Sequence, residues 1–175
     1  MSRAATRPAA TAGHTGYLPG VPRPFRAATL LLVLLAACSA PVEYESVAGG
    51  YRVLVPAGWT QGLGFEGPLG RVDLSLLRGG ASVTISIRPR ETGQPFDRLA
   101  RVLASGFRGA TVRSTTVASR PAVLVQGWLD EAWTAALVVD DADRVLVISA
   151  VGPRESRAEI DAVMERLRRS LRIRA

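Results

Sequence analysis

Cys38 carries the one thiol of the chain. It closes an apolar run, LLLVLLAACSA, over residues 30 to 40. A thiol can act as a nucleophile, a metal ligand, half of a disulfide or an acceptor for an acyl group. With no second cysteine, a disulfide within the chain and a multi-sulfur metal site are both excluded. The one histidine, His14, lies in front of the apolar run, and lysine and asparagine are absent throughout. Beyond Cys38 the chain therefore lacks the usual general base at neutral pH and the usual activated nucleophiles. Zinc held by nitrogen and sulfur ligands is excluded as well. Carboxylates, tyrosines and hydroxyls remain, without a paired arrangement. The residues predict no catalytic site, no cofactor and no metal.

Three further patterns invite a chemical reading. Gly62-Leu-Gly64-Phe-Glu-Gly67 matches the dinucleotide fingerprint in its glycine spacing. That chemistry needs a helix N-terminus directly after the glycines, to meet the pyrophosphate. Pro68-Leu69-Gly70 and a strand pattern follow instead, so the stretch reads as a loop. Asp140, Asp141 and Asp143 are candidate calcium ligands by type, but the glycine and the distal glutamate of a calcium loop are missing, and a polar turn accounts for them. Trp128 and Trp133 face each other across a turn at Asp130-Glu131. Exposed, they would form a partner surface; buried, they are a cross-strand aromatic pair, and burial is the favoured expectation.

The charge distribution narrows the class of partner. The net charge is +7. Arg3, Arg7, Arg23 and Arg26 precede the apolar run with no acid among them, and they account for more than half of it. A basic tract ahead of a short apolar run is a leader feature and not a phosphate-binding face, so no nucleic-acid partner is predicted. Ala27 to Ala37 is too short to span a bilayer, which takes about 20 apolar residues. It has the form of the apolar region of a secretory signal, with Arg23 and Arg26 as its cationic flank. The first 20 residues lack any apolar periodicity, and a start at Val21 would give VPRPFR as a compact basic segment.

The order Leu35-Ala36-Ala37-Cys38 resembles the lipobox of bacterial lipoprotein signals. The resemblance implies that residues 1–37 are removed, that the Cys38 sulfur carries a diacylglyceryl group, and that Cys38 becomes the new N-terminus. Two acyl chains suffice for lasting attachment where one is marginal. The chain is then a membrane-anchored lipoprotein outside the cytoplasm of a bacterial cell envelope. Residues 38–43 form a tether that reaches roughly 17 Å at most.

The domain that follows, 44–175, must position whatever acts. Tyr51 to Val55 alternates and Pro56-Ala-Gly-Trp59 breaks it, giving a strand and a turn. Val72, Leu74 and Leu76 alternate with polar residues, as do Val83, Ile85 and Ile87. A turn at Gly79-Gly80 pairs Leu76 with Val83, Leu74 with Ile85 and Val72 with Ile87. Pro95-Phe96 to Gly109 reads as a helix with Phe96, Leu99, Leu103 and Phe107 on one stripe. Ala122 to Leu129, Ala132 to Val139 and Arg144 to Ala150 read as strands that are apolar on both parities, hence covered on both faces. Ser156 and Glu159 form a capping box for a last helix, with Ile160, Val163, Met164, Leu167 and Leu171 as its buried stripe. Glu165 and Arg169 make a favourable surface pair. Arg168, Arg169 and Arg172 gather at the negative end of the helix dipole, which explains them without invoking anionic headgroups.

Strands, helix, strands and helix predict an α+β fold with a mainly antiparallel sheet and helices on both faces. YRVLVPAGW, SRPAVLVQG and MERLRRSLRI, spread over Tyr44 to Ile173, resemble the PsbP-like superfamily, which includes the LpqN group of lipoproteins. The resemblance implies an α/β/α sandwich that binds or organises other proteins, with no shared catalytic residues. The expected function is a lipid-anchored docking domain for an envelope protein. The rival is a carrier of a small apolar ligand, with Gly127, Ala135 and Ala136 opening a cavity between sheet and helix.

Overall fold

The computed structural model describes residues 40–62, 64–67, 70–90 and 95–174. The leader, the alternative start at Val21, the cleavage motif Leu35, Ala36 and Ala37, and Cys38 lie outside the described residues. Every strand pairing among the described residues is antiparallel. β1 (Val42–Ser46), β2 (Tyr51–Val55) and a short β11 (Arg172–Ile173) make a small three-stranded sheet in the order β1-β2-β11. β1 takes up Val42 and Glu43, which shortens the expected tether.

The large sheet has eight strands. β3 (Thr60–Gly62), β5 (Gly70–Arg78), β6 (Ala81–Pro89), β10 (Arg144–Gly152), β9 (Ala132–Asp141), β8 (Arg120–Leu129) and β7 (Arg108–Val117) follow one another across it, and β4 (Phe65–Gly67) also pairs with β5. The glycine-rich loop therefore resolves into two short edge pairings. At Gly64 a Cβ would lie 2.8 Å from the carbonyl oxygen of Val72, so the glycine allows close approach of two strands.

Helix α1 (Phe96–Ser105) is shorter than its apolar stripe suggested. Gly106 caps it, and Phe107 continues the packing without being helical. Arg108 then opens β7, which the sequence pattern did not announce. A tight turn joins β7 to β8 through Ala118 and Ser119, at φ of 49° and 63°. Both lie in the left-handed region usually given to glycine or asparagine.

Side chains alternate along β8, β9 and β10, and the two parities pack differently. Ala122, Ala135, Leu137, Val139, Leu146, Ile148 and Ala150 join the main core. There they meet Tyr51, Val53 and Val55 of β2, together with Ile160, Val163, Met164 and Leu167 of helix α2 (Arg157–Ser170). Val123 and Val125 instead pack with Phe96, Ala100, Ala104 and Phe107. Val138, Val145 and Val147 pack with Phe96, Leu99 and Leu103.

Two expectations need correction. Leu76 pairs with Val83 and Leu74 with Ile85 as predicted, but Val72 faces Ser86 and Arg71 faces Ile87. A β-bulge at Asp73 supplies the extra residue. The Tyr51 hydroxyl donates to Asp73 Oδ2 at 2.7 Å, and the Tyr44 hydroxyl donates to the Asp73 carbonyl at 3.2 Å. The bulge thus bonds the large sheet to the small one. Burial first, then the Asp73 carboxylate, push the Tyr51 phenol far above its ordinary range.

The capping box does not form. A 3₁₀ turn, Arg154–Ser156, leads into α2, so Ser156 (φ −84°, ψ 1°) lacks the extended backbone that such a cap uses, and its side chain makes no capping bond. Glu159 instead meets Arg78 at 2.8 Å, tying α2 to the β5–β6 hairpin.

Replacing Asp73 by Ala leaves the buried Tyr51 hydroxyl without its acceptor, at an expected cost of about 1–3 kcal/mol. Urea denaturation should show a lower midpoint at unchanged slope. Adding Tyr51→Phe removes the orphaned donor, and the double variant should regain part of the loss.

Candidate functional site

A cleft lies between α2 and strands β7, β8 and β9. Its wider part, ≈ 410 Å³, is lined on the sheet side by Thr111, Arg113, Leu124, Gln126, Trp133 and Leu137, and on the helix side by residues from Arg157 to Arg168. A second hollow of ≈ 370 Å³ shares Arg113, Leu124, Glu165 and Arg168 and extends toward Thr115 and Arg169.

The α2 stripe sets this geometry. Ile160, Val163, Met164 and Leu167 face the core, which turns Arg157, Asp161, Glu165 and Arg168 toward the rim. These four recur at helical spacing, so they form one row along the helix. Asp161 Oδ1 accepts hydrogen bonds from Gln126 Nε2 at 2.9 Å and from Trp133 Nε1 at 3.0 Å. Arg157 approaches the other carboxylate oxygen at 3.8 Å, and its guanidinium lies 4.0 Å from the Trp133 ring centroid. One carboxylate thus satisfies an indole and an amide while an arginine covers the ring.

One turn on, Glu165 accepts two bonds from Arg168, at 2.8 Å each, and one from Arg169 at 2.6 Å. The bonds from Arg168 lead in holding the Glu165 carboxyl well below its usual range, at about 2. Arg168 is raised correspondingly by its bond to Glu165. The surface pair read from the sequence is therefore a three-residue cluster. Arg113 projects from the edge strand β7, and no side-chain partner for it occurs among the described residues. The rim thus combines Arg113, Arg157, Arg168 and Arg169 with only Asp161 and Glu165, above a floor of Leu124, Leu137 and Met164. Such a surface suits an acidic or amphiphilic ligand better than a cationic one.

Trp128 and Trp133 pair across the β8–β9 turn, with ring centroids 5.0 Å apart in an edge-on arrangement. Trp133 is buried in the main core; Trp128 is half-buried, with Arg154 5.5 Å from its ring centroid. The cross-strand pair expected from the sequence is present, and its more exposed member stands beside the cleft strand β9.

Gly127, Ala135 and Ala136 open no common cavity. At Gly127 a Cβ would lie 2.8 Å from the Phe107 Cβ and 3.2 Å from the Ala110 Cα, so the glycine makes room for the chain entering β7. Ala135 belongs to the main core and Ala136 has the opposite parity. The acidic turn is occupied by arginines. Asp140 meets Arg90 at 3.2 Å, and buried Asp141 meets Arg144 at 2.7 Å and Arg120 at 3.2 Å. Among the described residues no group of three histidine, cysteine, aspartate or glutamate side chains gathers as a metal site.

Arg113 escapes a sequence reading because β7 does. The signal was nonetheless present in Thr111-Val-Arg-Ser-Thr115, a run rich in strand-forming residues.

No protein-family model matches the chain, and no curated protein matches it. Solved structures do match in fold. The solution structure of cyanobacterial PsbP (CyanoP) from Synechocystis sp. PCC 6803 aligns with a TM-score of 0.53 at 13% identity, over 78% of this chain and 94% of that one. LpqN, involved in cell envelope biogenesis of Mycobacterium tuberculosis, aligns with a TM-score of 0.59 at 9% identity, over 77% and 90%. A Bacteroides thetaiotaomicron protein aligns with a TM-score of 0.54 at 10% identity, over 78% of this chain and 50% of that one. The described residues have a PsbP-like fold, with antiparallel sheets and two α-helices.

The Glu165 cluster predicts an acid response. Its carboxyl titrates at about 2 in the fold, against about 4.3 when unfolded. Because the folded value is the lower, its stabilisation is complete above the unfolded value and is lost as pH falls through the folded one. Thermal melts between pH 6 and pH 2.5 should show a steeper acid loss in the native chain than in Glu165→Gln. Identical slopes would show that the arginine bonds add nothing in solution.

Proposed function

We propose that this chain is a lipoprotein of a bacterial cell envelope, held to a membrane through acyl groups on Cys38. Its PsbP-like domain docks a protein partner outside the cytoplasm. The anchor is supported by the order of cationic flank, apolar run and Leu35-Ala36-Ala37-Cys38. The envelope setting is supported by the likeness in fold to LpqN. The α/β/α layering belongs to the same reading. It is supported by the packing of α1 and α2 on strand residues of opposite parity.

The observation that carries the docking reading is the cleft. Its rim holds more cations than anions, Arg113 is left with hydrogen-bonding capacity, and Trp128 adds a half-buried aromatic nearby. Interfaces commonly draw their anchoring energy from arginine and tryptophan. The complementary surface is an acidic segment with apolar side chains for the floor of Leu124, Leu137 and Met164. The reading is of a non-catalytic domain, which is supported by the lack of histidine and lysine beyond Cys38.

A second reading rests on the same cleft. A volume of ≈ 410 Å³ with an apolar floor is in the size range of a small-ligand site. Its open, arginine-rich rim favours docking over enclosure of an apolar cargo.

Crosslinking in intact cells through a photoreactive residue at Thr111 distinguishes these readings. Docking predicts a discrete protein adduct that is lost in Arg113→Glu and diminished in Cys38→Ala. Adducts of lipid mass alone would support the carrier. An adduct pattern indifferent to Arg113 would remove the cleft from either role.

A further inference from the structure

The surface around the end of α2 shares Arg169 with the cleft but is otherwise lined by different residues, and it lies next to the point where the tether enters. Pro41, Leu54, Pro56, Arg166, Arg169, Ser170 and Arg172 line a shallow groove of ≈ 340 Å³. Leu54 is 45% exposed and Val42, beside Pro41, is 61% exposed. They lie on opposite faces of the small sheet: Val42 pairs with core residue Val55, and Glu43 is the residue opposite Leu54, so Leu54 is the apolar side chain on the groove side. The Ser170 hydroxyl accepts the Leu54 backbone N–H at 3.1 Å, which fixes the helix end against the small sheet.

The cations here are arranged for different tasks. Arg172 donates to the Arg169 and Leu171 carbonyls at 2.9 Å, so it does compensate the helix C-terminus. Arg169 is bonded to Glu165 and remains largely exposed. Arg166 is exposed, and no partner for it occurs among the described residues. Dipole compensation therefore explains Arg172 but leaves Arg166 over. The exposed carboxylates nearby are Glu43, and Glu45, which is already bonded to Arg52 and Arg174.

Chain length fixes where this face must lie. Cys38 precedes Pro41 by three residues, which span about 11 Å at most. That upper limit is somewhat more than one Debye length, which is about 8 Å at physiological salt. If Cys38 is acylated, the Pro41 groove is carried to within the range at which arginines feel anionic headgroups. We propose that the face formed by Pro41, Leu54, Arg166, Arg169 and Arg172 lies on the membrane and binds anionic phospholipid headgroups, with Leu54 at the interface. The proposal rests on the lipid-anchored reading of Cys38 and adds an orientation to it. The arginines meet phosphate oxygens, and the Leu54 side chain meets the upper acyl region.

The test uses the full mature chain in vesicles of phosphatidylcholine, alone or with one third phosphatidylglycerol. An environment-sensitive thiol probe is placed at Leu54→Cys or, for comparison, at Leu129→Cys on the β8–β9 hairpin, and lipid-borne quenchers report its depth. The expected result is strong quenching at position 54 that depends on phosphatidylglycerol, with little at position 129. Arg166→Gln with Arg169→Gln should lower the docked-to-undocked ratio roughly twenty-five-fold, at about fivefold per arginine. Equal quenching at the two positions, or indifference to lipid charge, overturns the proposal even where the chain stays anchored.

Failure of the anchor itself reads differently. Cys38 would then take up the probe in the unsubstituted chain, which would stay in the supernatant at high salt. Co-sedimentation of that chain with anionic vesicles at low salt then decides the face. Binding that the double variant loses upholds it, and absence of binding overturns it.

Discussion

Burial of one stripe of the last helix is the constraint on which the other features depend. Ile160, Val163, Met164 and Leu167, followed by Leu171, are removed from water against β2, β9 and β10. Fully burying a large aliphatic side chain contributes on the order of 1.5–3 kcal/mol. The stripe therefore fixes the rotation of the helix about its axis more firmly than any surface ion pair can. That rotation decides which residues line the cleft and which line the groove beside Pro41 and Leu54. Asp161 then locks the setting, because the Trp133 indole and the Gln126 amide both need its carboxylate.

The two candidate surfaces are consequences of this single placement. Residues one step off the buried stripe, Arg157, Asp161, Glu165 and Arg168, turn toward β7 and β8. Arg166 and Arg169 turn the other way, toward β2 and the tether. Arg169 also touches the second hollow, and its bond to Glu165 links the two surfaces at the helix end. An anchored domain arranged in this way would keep the cleft available while the opposite flank of the helix meets lipid.

Much of the scaffold was legible because it rests on apolar periodicity. β8, β9 and β10 carry apolar residues on both parities and are buried on both. The β5–β6 hairpin keeps its predicted register until Asp73, where a hydrogen-bonding demand from Tyr51 and Tyr44 coincides with a bulge that no alternation pattern announces. β7 was missed for two physical reasons. It is an edge strand with almost every residue in solvent, so nothing selects apolar side chains there. Its turn to β8 uses Ala118 and Ser119 at positive φ, without the glycine or asparagine that would have marked it. The capping box failed because the 3₁₀ turn before α2 already places Ser156 in near-helical geometry.

The candidate site was less legible than the fold. Its residues come from four elements, and one of those is the strand that was missed. Helical spacing alone gives the row Arg157, Asp161, Glu165 and Arg168, but not the Arg113 that faces it. The expected cavity at Gly127, Ala135 and Ala136 was misplaced because small residues also serve to admit a neighbouring segment of chain, as Phe107 to Ala110 does over Gly127. The central claim, a PsbP-like domain held at a membrane by its own N-terminal residue, is tested most directly by intact-mass measurement of the chain extracted from native membranes. The account predicts a polypeptide that begins at Cys38 and carries the mass of a diacylglyceryl group. A chain that retains Leu35-Ala36-Ala37, or one that begins at Cys38 with an unmodified thiol, would contradict it.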